Sequence, residues 1–190
     1  MGDIETASPG ADFTDPEPFE MDAAGQHLAF YPGGEARRKA LFDLVAGAQK
    51  SLDVCFYIFA EDTVSTQFRD ALVAAARRGV RVTLIVDRFG ADATDAFLQP
   101  LVEAGGEFLC FSAKWTRRYL IRNHQKMVIA DGRKAMFGGF NIADDYFAPP
   151  AENGWNDLGI VIEGSAVEGL NDWYSKLRQW TEANGRPILQ

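Results

Sequence analysis

With 190 residues, 47% of them hydrophobic, the chain is long enough for one domain of ordinary size with a substantial core. It has no run of about 18 apolar residues and no basic-then-apolar start, so we expect no membrane-spanning helix, no signal peptide, and a cytoplasmic or peripheral membrane protein. The net charge is −8, but seven of the 27 acids lie within residues 1–22, which leaves 20 against 19 Lys and Arg. With no extended basic face, nucleic acid is not an expected partner.

The first predicted unit is residues 1–26. This stretch is acidic, contains three prolines and shows no sustained periodicity, which is typical of a flexible N-terminal segment. The domain itself is then expected to occupy residues 27–190, with residues 21–31 entering the fold as a short strand. Residues 35–49 carry apolar side chains at helical spacing, which predicts a helix.

The middle of the chain alternates between β-rich runs and helical stripes. Such alternation predicts parallel strands joined by helical crossovers, here in the order strand 52–59, helix 62–78, strand 80–87, helix 94–104 and strand 107–111. The pattern then changes to a basic loop, a hairpin, a strand and a closing helix, at 112–123, 124–141, 157–163 and 165–182. The predicted fold class is α/β, a mixed sheet with helices on both faces.

His124 and Lys126 are the two residues whose spacing points most directly to chemistry. They lie two apart at the start of an apolar run that predicts a strand, and residues i and i+2 of a strand share a face. An imidazole can attack an electrophile, and an ammonium beside it can neutralise an anion. The pair therefore suits a reaction at phosphorus.

Further positions extend this pattern towards the C-terminus. Asp131 begins a tight-turn signal and lies too far from His124 along a strand to orient its ring, so we interpret it as a turn residue bonded to neighbouring backbone amides. Gly138 and Gly139 let backbone amides approach a bound group closely, and Asn141 adds a further donor.

The spacing His-x-Lys-x4-Asp-x6-Gly-Gly-x-Asn resembles the signature of the phospholipase D superfamily. Gly-Gly-Phe-Asn at 138–141 is similar to the first motif of bacterial cardiolipin synthases, and the flanking segments resemble the N-terminal half of those enzymes over residues 35–182. The resemblance implies a single phospholipase D-like half-domain at residues 27–190, with one HxKxxxxD motif.

The resemblance also implies roles for the site residues. His124 would attack the phosphorus of a phosphodiester to form a phosphohistidine, or act as general acid and base, while Lys126 and Asn141 bind the phosphate oxygens. No cofactor and no metal are implied. Asp157, an acid just before an apolar strand, is similar to an acid of related enzymes that holds the second nitrogen of a histidine ring. The alternative for Asp157 is a surface acid at a strand end.

Several residues near the motif are candidates for contact with the substrate. Arg122 and Asn123 could hold a phosphate or headgroup, or simply solvate a loop. Trp115 and Tyr119, with their basic neighbours, have the composition of a surface that touches anionic lipid.

The implied mechanism uses two copies of the motif, and this chain has one, because His27 lacks a Lys two residues later. A second HxK half-domain is therefore expected, from a homodimer or a C-terminal half. The predicted function is a phosphatidyltransferase of the cardiolipin synthase type, acting on phospholipid at a membrane surface and converting phosphatidylglycerol to cardiolipin and glycerol. The alternatives are a homodimeric phosphodiesterase, phospholipase D or nuclease, and a non-catalytic lipid-binding half-domain.

Overall fold

Eight strands form one mixed sheet in the computed structural model, which describes residues 14–91, 93–111 and 122–184. The strand order across the sheet is β1-β2-β8-β7-β6-β3-β4-β5. Strands β3, β4 and β5 run parallel, and every other neighbouring pair in the sheet is antiparallel. The strands are β1 (Phe19–Ala23), β2 (Gln26–Tyr31), β3 (Ser51–Phe56), β4 (Arg81–Asp87), β5 (Glu107–Phe111), β6 (Met127–Ala130), β7 (Lys134–Gly138) and β8 (Gly159–Glu163).

Helices cover both faces of this sheet. They are α1 (Gly34–Gly47), α2 (Thr63–Arg77), α3 (Asp95–Glu103) and α4 (Ala166–Asn184), and two short 3-10 turns lie between β7 and β8. Side chains alternate along β3, so Val54 and Phe56 join the core under α1, α2 and α3. Cys55 between them points to the opposite face, where α4 provides Tyr174 and Leu177.

The predicted α/β class, with a mixed sheet and helices on both faces, is confirmed. The four predicted helices coincide with α1 to α4 to within two residues at each end, because each has an apolar stripe that must be buried. Within the part of the chain that the structure describes, no helix is long and apolar enough to cross a membrane.

The N-terminal region differs from the expectation of one short strand at residues 21–31. That stretch folds as a hairpin, in which β1 pairs with β2 in antiparallel register. Ala24 and Gly25 both have positive φ, as a two-residue turn between twisted strands requires. The sheet thus begins at Phe19, inside the stretch predicted to be flexible, while residues 1–13 lie outside the described residues.

Candidate active site

The register of the sheet brings the predicted site residues to one edge. Met127 at the start of β6 pairs with Cys55 near the end of β3, and Phe137 of β7 pairs with the same Met127. Gly138 at the end of β7 pairs with Gly159 at the start of β8. This edge, at the carboxyl ends of the parallel strands, is where α/β sheets commonly bind ligands.

His124 and Lys126 lie just before β6, so they are outside the strand that was predicted to carry them. The predicted closeness of their side chains is nevertheless present. Lys126 Nζ is 3.0 Å from His124 Nδ1 and 3.4 Å from Nε2, and it donates to the His124 carbonyl oxygen at 2.7 Å. The short bond to the backbone holds the ammonium against the ring, so the pair is formed before any ligand binds.

The two members of the pair differ in exposure. The His124 side chain is exposed at the sheet edge, whereas Lys126 is only 5% exposed. Burial lowers the pKa of the Lys126 ammonium below its ordinary value, and the negative charge of Asp157 offsets part of that shift. The arrangement offers an accessible nucleophile next to a partly desolvated cation, whose attraction for an anion is stronger than it would be in water.

Tyr57 is a neighbour of the pair that sequence reasoning did not identify. Its ring centroid is 4.6 Å from that of His124, and Lys126 Nζ lies 5.5 Å from the Tyr57 centroid. Behind it, a Cβ on Gly90 would come within 2.9 Å of Tyr57 Cζ, so Gly90 leaves the room that the ring needs. The available signal was its position directly after β3, where side chains reach the carboxyl edge of the sheet.

Asn141 lies close behind the edge and is 2% exposed. Its Oδ1 accepts the backbone N–H of Ile58 at 2.9 Å, and its Nδ2 donates to the Tyr146 hydroxyl at 2.8 Å. These bonds join the end of β3 to the segment that follows β7. The predicted contact of Asn141 with phosphate stays a prediction, and it would use the second hydrogen of the amide.

Asp157 lies two residues before β8, beside the two glycines of the motif. A Cβ on Gly139 would be 2.6 Å from Asp157 Oδ1, and one on Gly138 would be 2.1 Å from the Leu158 carbonyl oxygen. The glycines therefore permit the close approach of β7 and the start of β8, in addition to any approach to a ligand.

The Asp157 carboxylate accepts the N–H of Leu158 at 2.6 Å. Among the described residues, no carboxylate is hydrogen-bonded to the His124 ring, whose nitrogens face Lys126. The predicted role of Asp157, as the acceptor that holds a histidine ring, stays a prediction.

Asp131 is at the other end of β6, away from this edge. Its carboxylate accepts the backbone N–H groups of Gln49, Lys50 and Ser51 at 2.6 to 3.1 Å, the kind of contact expected of a turn residue. Partial burial raises the pKa of Asp131, but the three amide bonds outweigh this effect and hold it below the ordinary value. This residue joins the hairpin to the loop before β3.

Arg122 and Asn123 extend the edge towards β4. The backbone N–H of Asn123 donates to the buried carboxylate of Asp87 at 2.7 Å, and the Arg122 guanidinium lies 3.6 Å from the centroid of the exposed Phe89 ring. Asn123 is 4% exposed, so the predicted contact with a headgroup would require its side chain to become more accessible. Trp115 and Tyr119, which are predicted to contact lipid, lie outside the described residues.

A metal site would need several close donor side chains. Within residues 14–91, 93–111 and 122–184, no group of three or more His, Cys, Asp and Glu side chains is placed to hold a metal ion.

The fold and the site together define a class of protein, the phospholipase D superfamily. The chain superposes on Nuc of Salmonella typhimurium, a phospholipase D family member, with a TM-score of 0.63 at 21% identity, covering 92% of this chain and 100% of that one. At this identity the likeness concerns the fold.

The family follows from the sequence match. The model of the cardiolipin synthase, PLD-like domain family matches residues 41–177, and the chain belongs to that family. It is 33% identical over 157 residues to cardiolipin synthase A of Pseudomonas entomophila, covering 77% of this chain and 33% of the relative. It is 34% identical over 149 residues to a cardiolipin synthase of Clostridium perfringens strain 13, covering 76% and 31%. The chain thus spans about a third of the length of these relatives.

Proposed function

We propose that this chain provides one of the two HxK half-sites of a phosphatidyltransferase of the cardiolipin synthase type, which converts two phosphatidylglycerols to cardiolipin and glycerol. The observation that carries the proposal is the preformed pair at the open sheet edge, with Lys126 Nζ 3.0 Å from the ring of the exposed His124. Membership of the cardiolipin synthase domain family supports the choice of a phospholipid substrate.

The proposed reaction has two displacements at phosphorus. A ring nitrogen of His124 attacks the phosphorus of the first phosphatidylglycerol, the bond from phosphorus to the glycerol headgroup breaks, and glycerol leaves with a proton from the histidine of the second half-site. The hydroxyl of the second phosphatidylglycerol then attacks the phosphohistidine, returns its proton to that histidine, and frees His124. Covalent catalysis of this kind divides one difficult step into two easier ones.

Lys126 provides the charge that the transition state needs. Negative charge accumulates on the non-bridging oxygens as the attacking atom approaches phosphorus, and a preorganised donor there stabilises the transition state more than the ground state. Lys126 is already fixed by its bond to the His124 carbonyl oxygen, so little reorganisation is needed. Asn141, behind the pair, would provide a second donor.

The second half-site would come from a partner, since the chain carries a single HxK motif and spans about a third of its curated relatives. We propose a second HxK half-domain, from another copy of this chain or from a C-terminal half. Asp157 would then act as the carboxylate that holds the second nitrogen of a histidine ring at the shared site.

A homodimeric phosphodiesterase or nuclease is the second candidate, and the match to the entire length of Nuc favours it. That match covers 92% of this chain and 100% of the Nuc chain. The two candidates share His124 and Lys126 and differ in substrate.

The test combines the solution mass with turnover of two substrates. The wild-type chain and His124→Gln are measured by light scattering and then assayed on phosphatidylglycerol vesicles and single-stranded DNA. For a dimer, we expect cardiolipin and glycerol from the wild type, no product from His124→Gln, and intact DNA. DNA cleavage without lipid turnover would favour the second candidate.

A monomer would be tested by ligand binding, because half of the site would be missing. The chain has two histidines, so proton NMR can follow the His124 ring during addition of inorganic phosphate, with His27 on β2 as internal control. We expect a saturable shift of the His124 signal alone. Vesicle binding by the wild type and His124→Gln to the same extent, with no response of His124 to phosphate, would indicate a non-catalytic lipid-binding half-domain.

A further inference from the structure

Arg37 is a fully buried cation on α1, with 0% of its surface exposed. Its guanidinium donates to the carbonyl oxygens of Pro32 at 2.8 Å and Asp157 at 2.6 Å through Nη1, and to that of Tyr146 through Nη2. Burial lowers the pKa of Arg37, and the negative charge of Asp157 offsets part of that shift. Buried charges generally contribute little to net stability, so a role in specifying geometry is the better explanation for this one.

Two of these carbonyl groups belong to the segment that carries the site residues. Tyr146 also accepts the hydrogen bond from Asn141 through its hydroxyl, so the guanidinium is joined to the Asn141 amide through one residue. Asp157 is bound directly at its backbone, and the negative charge of its carboxylate offsets part of the lowering of the Lys126 pKa that burial causes. Arg37 therefore connects α1 to both sides of the candidate site.

Two aromatic rings and a glycine border the Arg37 guanidinium, whose Nη atoms are bonded and whose buried Nε has no hydrogen-bond partner among the described residues. Its Cζ lies 5.8 Å from the Phe140 ring centroid and 6.0 Å from that of Phe147. A Cβ on Gly159 would be 2.9 Å from Arg37 Cγ. Because glycine has no side chain, there is room at this position for the Arg37 side chain to extend to Asp157. A planar fork can bond separate carbonyl groups at once, which the single ammonium of Lys does poorly.

We propose that Arg37 is a positioning residue of the phosphoryl-transfer site, which fixes the segment between β7 and β8 so that Asp157 and Asn141 face the His124–Lys126 pair. This inference rests on the proposed function. Arg37 lies below the edge and does not touch the reacting atoms, so it acts through the carbonyl groups of Tyr146 and Asp157.

The test measures the site directly and needs no turnover. The Lys126 pKa is followed by carbon NMR of methylated lysines, and inorganic phosphate binding by the His124 ring signal. In Arg37→Gln we expect the Lys126 pKa to fall, as in Asp157→Asn, because the carboxylate is no longer held near the ammonium. We also expect phosphate to bind several-fold more weakly, and the double variant to add little to either effect.

Leu41→Ala is the matched control. Leu41 is on the same helix, one turn further along, equally buried, and its apolar side chain donates no hydrogen bond to the segment that Arg37 holds. It should reduce stability while leaving the Lys126 pKa and phosphate binding as in the wild type. Equal effects from Leu41→Ala, or wild-type values in folded Arg37→Gln, would overturn the proposal.

Gly159→Ala should disturb the contact between Arg37 and Asp157 from the β8 side without removing a charge. It replaces Arg37→Gln if that variant does not fold. The added Cβ would lie 2.7 Å from Met136 Cε and 2.9 Å from Arg37 Cγ, so Met136 and either the Arg37 side chain or β8 must shift. We expect both measured quantities to change in the same direction as in Arg37→Gln. Wild-type values in folded Gly159→Ala would overturn the proposal. A wild-type dimer that binds phosphate but turns over no phospholipid would refute the proposed function and leave this result standing.

Discussion

The two ends of β6 carry parts of one sequence motif but hold their charged side chains in opposite ways. At the start of the strand, Lys126 is buried, its pKa is lowered, and it faces an exposed His124. At the other end, Asp131 has its carboxylate occupied by three backbone amides and its pKa is also lowered, but for the opposite reason: its charged form is stabilised. The Lys126 ammonium is desolvated and has no anionic hydrogen-bond partner among the described residues, so it can attract an anionic ligand, whereas the Asp131 carboxylate is fully hydrogen-bonded and stabilises the fold.

The largest effect is expected from replacing Lys126, at the start of β6. Lys126→Met should reduce turnover by about 10²–10³-fold and should also weaken phosphate binding, since it removes the positive charge held against His124. The free energy of unfolding should change little or increase, because a partly desolvated ammonium is replaced by an apolar side chain.

Lys134→Met is its matched control, since Lys134 is exposed on β7 and paired with Glu163 at 3.6 Å. That variant should retain phosphate binding and activity, as measured by phosphate titration or product assay. Equal losses in both lysine variants would mean that general charge, and not the site, attracts the anion.

The next effect tests the other end of β6. Asp131→Ala should lower the free energy of unfolding by about 2 kcal/mol, because it leaves backbone amides of the loop before β3 without their charged acceptor. Phosphate should bind the folded variant with wild-type affinity. Denaturant unfolding measures the loss, and Asp43→Ala, which removes an exposed acid of α1, provides the control.

The comparison would fail if Asp131→Ala weakened phosphate binding as much as it reduced stability. The two ends of β6 would then act as one unit. Such coupling would have to pass through the strand, which separates Lys126 from Asp131 by about 16 Å at roughly 3.3 Å per residue.

The smallest expected effect is on how the free energy of unfolding changes at acidic pH. The folded pKa of Asp131 lies below its ordinary value of 3.8, so its contribution to stability is complete above that pH and is lost as the pH falls through the folded pKa. Asp131→Asn should therefore show a weaker dependence of unfolding free energy on pH between about 5 and 2 than the wild type. Identical pH profiles would show that Asp131 is not responsible for acid sensitivity in this range.

Much of the architecture was accessible from local patterns. Helical stripes and β-rich runs predict α1 to α4 and the parallel strands. An element that buries one face has apolar residues spaced with the period of its own backbone, and this spacing is visible in the sequence. The spacing from His124 to Asn141 likewise predicts which residues gather at the site, and the turn role of Asp131 follows from its distance along the strand. The predictions of the elements and of the Asp131 turn succeed because each depends on residues that are near one another in the chain, whereas the roles of the site residues stay predictions.

Other features depend on contacts between segments far apart in sequence. Nothing in the local pattern places Tyr57 against His124, Arg37 under Asp157, or Asn141 on Ile58 and Tyr146, and the hairpin at Phe19 was concealed by acidic residues. The contacts of Tyr57 with His124, Arg37 with Asp157 and Asn141 with Ile58 arise when strand pairing and helix packing bring together residues with dozens of others between them. Sequence periodicity specifies which face of an element is buried. Which residues of other elements pack against that face depends on the free energy of the whole folded chain.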